Sequence, residues 1–291
     1  MEYHMKNLAI AALFAAVSAI APSAVASPQT LELDFSLGDH GRLFPAGKDV
    51  MRIHYNNGKM GRTAAVAAGM FSGEAVEGAN TTIDTRTLFE DALNVLAYCI
   101  DIMQLLEASA VYEVKSIDQN AIHIDQTGVR RDFGRMLDFL GAVNAVLQGS
   151  DYGRAPDSKN WLRPDTGWMS GAIQVGIWES LYEADSVALS IARADTEGDQ
   201  WFWADTGSGK AAHDIDARGL SFLDSAFDLV NSGTGFIPLS AKEVLWARNS
   251  SGQDLLIDPV PVPVPATIIL LFAGLASLAY RGRAGDRLRA R

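Results

Sequence analysis

Cysteine is nearly absent: the 291 residues hold one, Cys99. An intramolecular disulfide framework is therefore excluded. Histidine is scarce as well. The five histidines are scattered with no pair at ligand spacing, and no acidic run carries the Gly-centred loop of a calcium hand. Neither a metal nor a cofactor has a motif here. Basic side chains are outnumbered, 24 Lys+Arg against 35 Asp+Glu. Lys6 and five arginines near the C-terminus lie outside residues 27–258, as do Glu2 and Asp286. The stretch between keeps 18 basic and 33 acidic residues, a net charge of −15. Such a surface disfavours nucleic acid and attracts cationic groups such as lysine amines; it also confers solubility.

Long hydrophobic runs are confined to the two ends. Lys6 precedes an apolar run from Leu8 to Ile20, and Ala24-Val25-Ala26 follows with the small residues a signal peptidase accepts. Residues 1–26 read as a cleavable secretory signal, with Met5 the expected start, because the run is too short to span a bilayer comfortably. At the other end, alternating prolines from Pro259 to Pro265 make a stiff extended stalk. The apolar stretch Ala266 to Tyr280 is barely long enough to cross a membrane, and Arg281, Arg283, Arg287, Arg289 and Arg291 would hold its end on the cytoplasmic side.

Between the ends the pattern is mixed. Leu31 to Phe35, Val50 to Tyr55 and Tyr112 to Ile117 alternate as strands do, and Asn56-Asn57-Gly58 is a hairpin signal. Thr63 to Phe71 reads as one further strand. Leu88, Ala92, Val95, Cys99, Met103 and Leu106 fall at helical spacing, so periodicity alone predicts a helix there. Phe133 to Leu147, Met169 to Ala184 and Ile215 to Val230 read as helices, the second with Ile173, Ile177 and Leu181 on one side and the last closed by Asn231-Ser232-Gly233. Trp201 to Trp203 reads as a short strand, and Lys242 to Arg248 with Gln253 to Ile257 as a final hairpin. Strands at both ends with helices between predict an α+β domain over 27–258: a β-sandwich or β-barrel carrying a helical insertion.

A single thiol in an exported chain is either a buried small hydrophobe or a group with its own chemistry. Two segments bear on the choice. Tyr98-Cys99-Ile100 is an aromatic-Cys-aliphatic segment. Ile173-Gln174-Val175-Gly176-Ile177-Trp178 is an aliphatic-Gln-x-small-aliphatic-Trp segment. Together they resemble the bacterial thioester domains of surface adhesins, over roughly Ala68 to Ile257. The resemblance implies an internal thioester between the Cys99 sulfur and the Gln174 side chain. It also implies a strand rather than a helix at Cys99, feeding a turn near Asp101. Gly176 departs from the family, where alanine is usual. The tail, Val262-Pro263-Val264-Pro265-Ala266 with the apolar stretch and arginines, resembles PEP-CTERM-type sorting signals of the Val-Pro-x-Pro-Ala variant. That resemblance implies processing by an exosortase-type membrane protease of a Gram-negative bacterium. Residues 259–291 are then the sorting signal, and the mature protein belongs at the cell surface or in the matrix.

The chemistry asked of these residues is demanding. A carboxamide is a poor electrophile, and a thiol at neutral pH is mostly protonated. Holding the Cys99 sulfur against the Gln174 carbonyl makes the attack intramolecular, worth up to roughly 7–11 kcal/mol of barrier. Ammonia leaves, and the resulting thioester acylates amines once, without turnover. Tyr98 and Trp178, one beside each partner, are the expected pocket walls. Two other readings stand beside this one. A non-covalent matrix protein would lack a working thioester, and a cysteine hydrolase would pair Cys99 with His123 or His213.

Overall fold

The computed structural model describes residues 28–35, 43–56, 61–102, 104–117, 122–124, 130–184, 186–192, 201–206, 215–240 and 243–257. The expected signal segment 1–26 and sorting segment 259–291 lie outside them, and with the latter Val262, Pro263, Pro265, Ala266, Arg281 and Arg283. Among the described residues no helix is long and apolar enough to cross a membrane.

Six short strands with one apolar face each close into an antiparallel barrel. They are β1 (Thr30–Asp34), β4 (Phe71–Val76), β5 (Val95–Cys99), β6 (Ser109–Ser116), β10 (Leu245–Arg248) and β11 (Leu255–Ile257), in the spatial order β1-β4-β5-β11-β10-β6. Alternate residues point inward. Leu31 and Leu33, Phe71 and Ala75, Val95 and Ala97, Ala110 and Tyr112, Ala247, Leu255 and Ile257 fill the interior. Barrel therefore holds where the sequence left barrel or sandwich open, and closure removes the sheet edges that a sandwich would expose. A one-turn helix, α1 (Thr85–Leu88), leads into β5.

The remaining elements lie apart from the barrel sheet. The strands β2 (Asp49–Asn56), β3 (Gly61–Ala68) and β9 (Phe202–Ala204) form a second antiparallel sheet, ordered β3-β2-β9. The strands β7 (Ile122–Ile124) and β8 (Arg130–Asp132) form a third. Helices α2 (Gly134–Gln148), α3 (Gly167–Tyr182) and α4 (Ala217–Ser232) enter between β6 and β10, as the expected insertion. Gly233 ends α4 at φ 66°, the left-handed cap its position in Asn231-Ser232-Gly233 predicts.

Two expectations from the sequence are overturned. The helical spacing from Leu88 to Leu106 does not make a helix: β5 occupies its centre, paired with β4 on one side and β11 on the other. Inside a closed barrel, two ladders of backbone hydrogen bonds outweigh a periodic match that ignores what lies beside it. The strand that the thioester-domain resemblance implies at Cys99 is the one observed. The strand expected over Thr63 to Phe71 is two strands in two sheets, broken at Gly69-Met70. There the Met70 N–H leaves the ladder and donates to Ser170 Oγ at 2.6 Å.

Helix α3 is the axis of the insertion. Its N-cap is Thr166, whose hydroxyl accepts from the Met169 N–H. Of its 16 residues 14 are buried, so no single stripe of Ile173, Ile177 and Leu181 describes it. It packs against α2 and α4 on one side and against β2, β3 and β9 on the other, the situation of a helix apolar all round. Gly176 has a specific role in this packing. A Cβ there would overlap the Phe139 ring of α2, so the missing methyl admits the ring against the α3 backbone. An alanine would not fit beside this phenylalanine. Gly176→Ala is therefore expected to destabilise the domain by about 1–3 kcal/mol through overpacking, although alanine is the better helix former by about 1 kcal/mol. Phe139→Leu added to it should recover part of the loss. Denaturant unfolding of the three variants against wild type checks this.

The end of α3 is fastened by two buried carboxyl groups. Glu183 accepts from the N–H groups of Ala184, Trp201 and Phe202 at 2.7–3.3 Å. Glu179 is fully buried, with Oε1 accepting from the Ser190 N–H at 2.8 Å and Oε2 without a hydrogen-bond partner. Burial, with the Glu183 charge adding to it, raises the Glu179 carboxyl well above its ordinary 4.5. A carboxyl raised in the folded state contributes its full stability below the ordinary value and loses it as pH climbs toward the raised one, by up to about 1.4 kcal/mol per pH unit. Glu179→Gln removes that dependence. The variant should therefore gain stability relative to wild type as pH rises above about 4.5, read from urea titrations at each pH.

Candidate functional site at Cys99 and Gln174

Cys99 is the last residue of β5. Along that strand Leu96, Tyr98 and Ile100 pack toward the helices, while Val95 and Ala97 face the barrel interior; Cys99 touches both cores. The backbone alternates too. The Ile100 N–H donates toward β11, to Asp254 O at 2.9 Å. The N–H and C=O of Cys99 consequently point the other way, toward β4. That strand has already ended, its last partner position being Phe71 opposite Ala97.

Helix α3 fills the gap. The Gln174 side chain lies flat against the Cys99 backbone, its Oε1 accepting from the Cys99 N–H at 2.9 Å and its Nε2 donating to the Cys99 C=O at 2.8 Å. The carboxamide thus does what the next peptide of β4 would have done. Ser170, one turn earlier on α3, does the same for Met70. Gln174 is 1% exposed, so without these bonds its burial would cost about 1–3 kcal/mol. The consequence for chemistry is direct. The one electrophilic side-chain carbon of this segment is held on the residue that carries the thiol, and its oxygen already faces an N–H donor that stabilises developing negative charge.

The thiol itself is kept protonated. Burial pushes Cys99 far above the ordinary thiol value, and the neighbouring Asp101 carboxylate adds to the rise. Asp101 and Asp254 lock the mouth of the barrel around it. Asp101 accepts from the Asp254 N–H at 3.1 Å and from the Tyr182 hydroxyl at 3.4 Å. Asp254 accepts from Trp246 Nε1 at 3.0 Å and the Asn249 N–H at 2.6 Å. Gln253 donates to Asp101 O at 2.8 Å. Nothing in the sequence marks this lock beyond the turn at Asn249 to Gly252 between the two strands of the expected hairpin.

Of the two expected walls, Tyr98 is fully buried on the helical side of β5, its ring 5.8 Å from that of Trp161 and its hydroxyl 3.5 Å from Trp161 O. Burial raises its ionisation well above the usual phenol range. Trp178 stands one turn beyond Gln174 on α3, 4% exposed, with Nε1 buried and unpartnered. His123 sits on β7, in the small β7–β8 sheet, and His213 lies outside the described residues. Among the described residues no group of three metal-ligating side chains converges. Comparison with known proteins finds no counterpart: no family model, no curated protein and no solved structure matches this chain.

Proposed function

We propose that this is an exported surface or matrix protein whose Cys99 and Gln174 close into an internal thioester that bonds covalently to amine-bearing targets. The observation that carries the reading is the pair of hydrogen bonds holding the Gln174 carboxamide on the Cys99 backbone. Closure joins Sγ to the side-chain carbonyl carbon and releases the amide nitrogen as ammonia. The Cys99 C=O then loses its donor, while the acyl oxygen keeps the Cys99 N–H. A target amine attacks the same carbon, forms an amide with Gln174 and returns the thiol to Cys99. Each molecule acts once, as an acyl donor and not as a turnover enzyme. The acidic surface gathers lysine-rich partners, and added salt should slow the encounter. The tail fits transient retention in the inner membrane, cleavage near Val262 to Ala266 by an exosortase-type protease, and release to the cell surface.

Intact-mass measurement tests the bond. The freshly made domain should be one ammonia lighter than its sequence, with Cys99 protected from iodoacetamide under native conditions. Cys99→Ala and Gln174→Ala should each restore the full mass. Incubation with methylamine should give an adduct at Gln174 and free the thiol. A full mass with a freely alkylated thiol would favour the non-covalent matrix reading instead.

Sorting is tested separately, by mass spectrometry of surface-extracted protein. The mature chain should end between Val262 and Ala266 and lack Arg281 to Arg291. Retention of the arginines at the inner membrane in exosortase-positive cells would mark the tail as a plain anchor.

A further inference from the structure

Thioester closure has a proton to move. The thiol hydrogen must leave sulfur, and the departing amide nitrogen must gain one to become ammonia. The Asp101 carboxylate that acts on the thiol is committed, as is Asp254 beside it: both oxygens of each already accept hydrogen bonds. One buried hydroxyl is not. Tyr112 is 0% exposed, and its hydroxyl has no hydrogen-bond partner.

The strand registers place it at the reacting end of the barrel. Cys99 pairs with Leu255, Leu255 with Ala247, and Ala247 with Val114, which makes one belt around four strands. Tyr112 is the next inward residue from Val114 along β6, on the side where β5 ends. It shares the barrel core against which Cys99 packs. Asn249, just past the end of β10, is a polar side chain that faces the hydroxyl, and Cys99, Glu107 and Asp254 lie within electrostatic reach of it.

We propose that Tyr112 is the proton-transfer residue of the Cys99–Gln174 reaction; the inference rests on the thioester reading above. In closure its hydroxyl oxygen accepts the thiol hydrogen as Sγ bonds to the Gln174 carbonyl carbon. Its own hydrogen passes to the amide nitrogen as the C–N bond breaks. Tyrosine ends as it began, and the products are thioester and ammonia. In acyl transfer the same relay runs from the attacking amine to the departing sulfur. Burial, reinforced by the carboxylates of Glu107 and Asp254, holds the hydroxyl in its protonated form, so it works as a relay and not as a standing base. A hydroxyl buried without a partner costs stability, a cost that fits a group kept for chemistry.

Tyr112→Phe removes only that oxygen. The full chain is made in a cell-free pulse, and the loss of ammonia is followed by intact mass in H2O and D2O, alongside thermal unfolding. The variant should unfold at the wild-type temperature or higher, yet close its thioester more slowly by on the order of 10²-fold. Wild-type closure should be slower in D2O. Equal closure rates in variant and wild type, or no solvent isotope effect in wild type, would overturn the role of Tyr112 while leaving the thioester standing. A wild-type chain that never loses ammonia would remove both.

Discussion

A carboxamide buried in the middle of a helix apolar on every side has to find partners for its donor and its acceptor, or the helix cannot be buried there. Gln174 meets that requirement by taking the place of a strand. Its amide closes the open hydrogen-bonding edge of β5 at Cys99, where β4 has turned away. The same two bonds dock α3 on the barrel, satisfy the last residue of β5 and set the carbonyl carbon on the residue that bears the thiol. Ser170 repeats the device one turn earlier, so α3 presents two side chains to two interrupted backbones.

The surrounding structure keeps that juxtaposition rigid. Asp101 ties the chain leaving β5 to the start of β11, and Asp254 ties the start of β11 to Trp246 and Asn249. At its far end α3 is held by Glu179 and Glu183, which gather the N–H groups of the chain before β9. In between, the Phe139 ring lies directly on Gly176. A helix fixed at its middle and its end, against a barrel whose mouth is hydrogen-bonded shut, holds its glutamine in one position. Intramolecular attack on a sluggish electrophile requires that kind of order, because its advantage comes from lost freedom already spent in folding.

The environment also sets the chemical problem. The burial that would keep water from an acyl group at Gln174 raises the Cys99 thiol at the same time. A protonated nucleophile beside a poor electrophile calls for a proton path inside the barrel. The unpartnered Tyr112 hydroxyl is the group there whose burial packing alone does not explain.

Much of this was legible in the sequence, and for identifiable reasons. The alternation of Leu31 to Phe35 and of Tyr112 to Ile117, the amphipathic run of α2 and the Asn231-Ser232-Gly233 stop are local patterns, and local patterns fix element type. The Cys99 and Gln174 segments stood out because, in a chain with one thiol, the two together resemble those of bacterial thioester domains. Other features depend on residues far apart in sequence. Helical spacing around Cys99 misled because it cannot register the ladders that β4 and β11 supply. The break at Gly69-Met70 depends on Ser170, a hundred residues on. The fit of Gly176 depends on Phe139, and the placement of Tyr112 at the Cys99 end of the barrel depends on a belt of four strands. The sequence by itself determined which side chains are candidates for the chemistry and most of the elements that hold them. Only the tertiary structure decided that the glutamine lies on the cysteine, because that contact is the answer to a hydrogen-bonding deficit that does not exist until the barrel has closed.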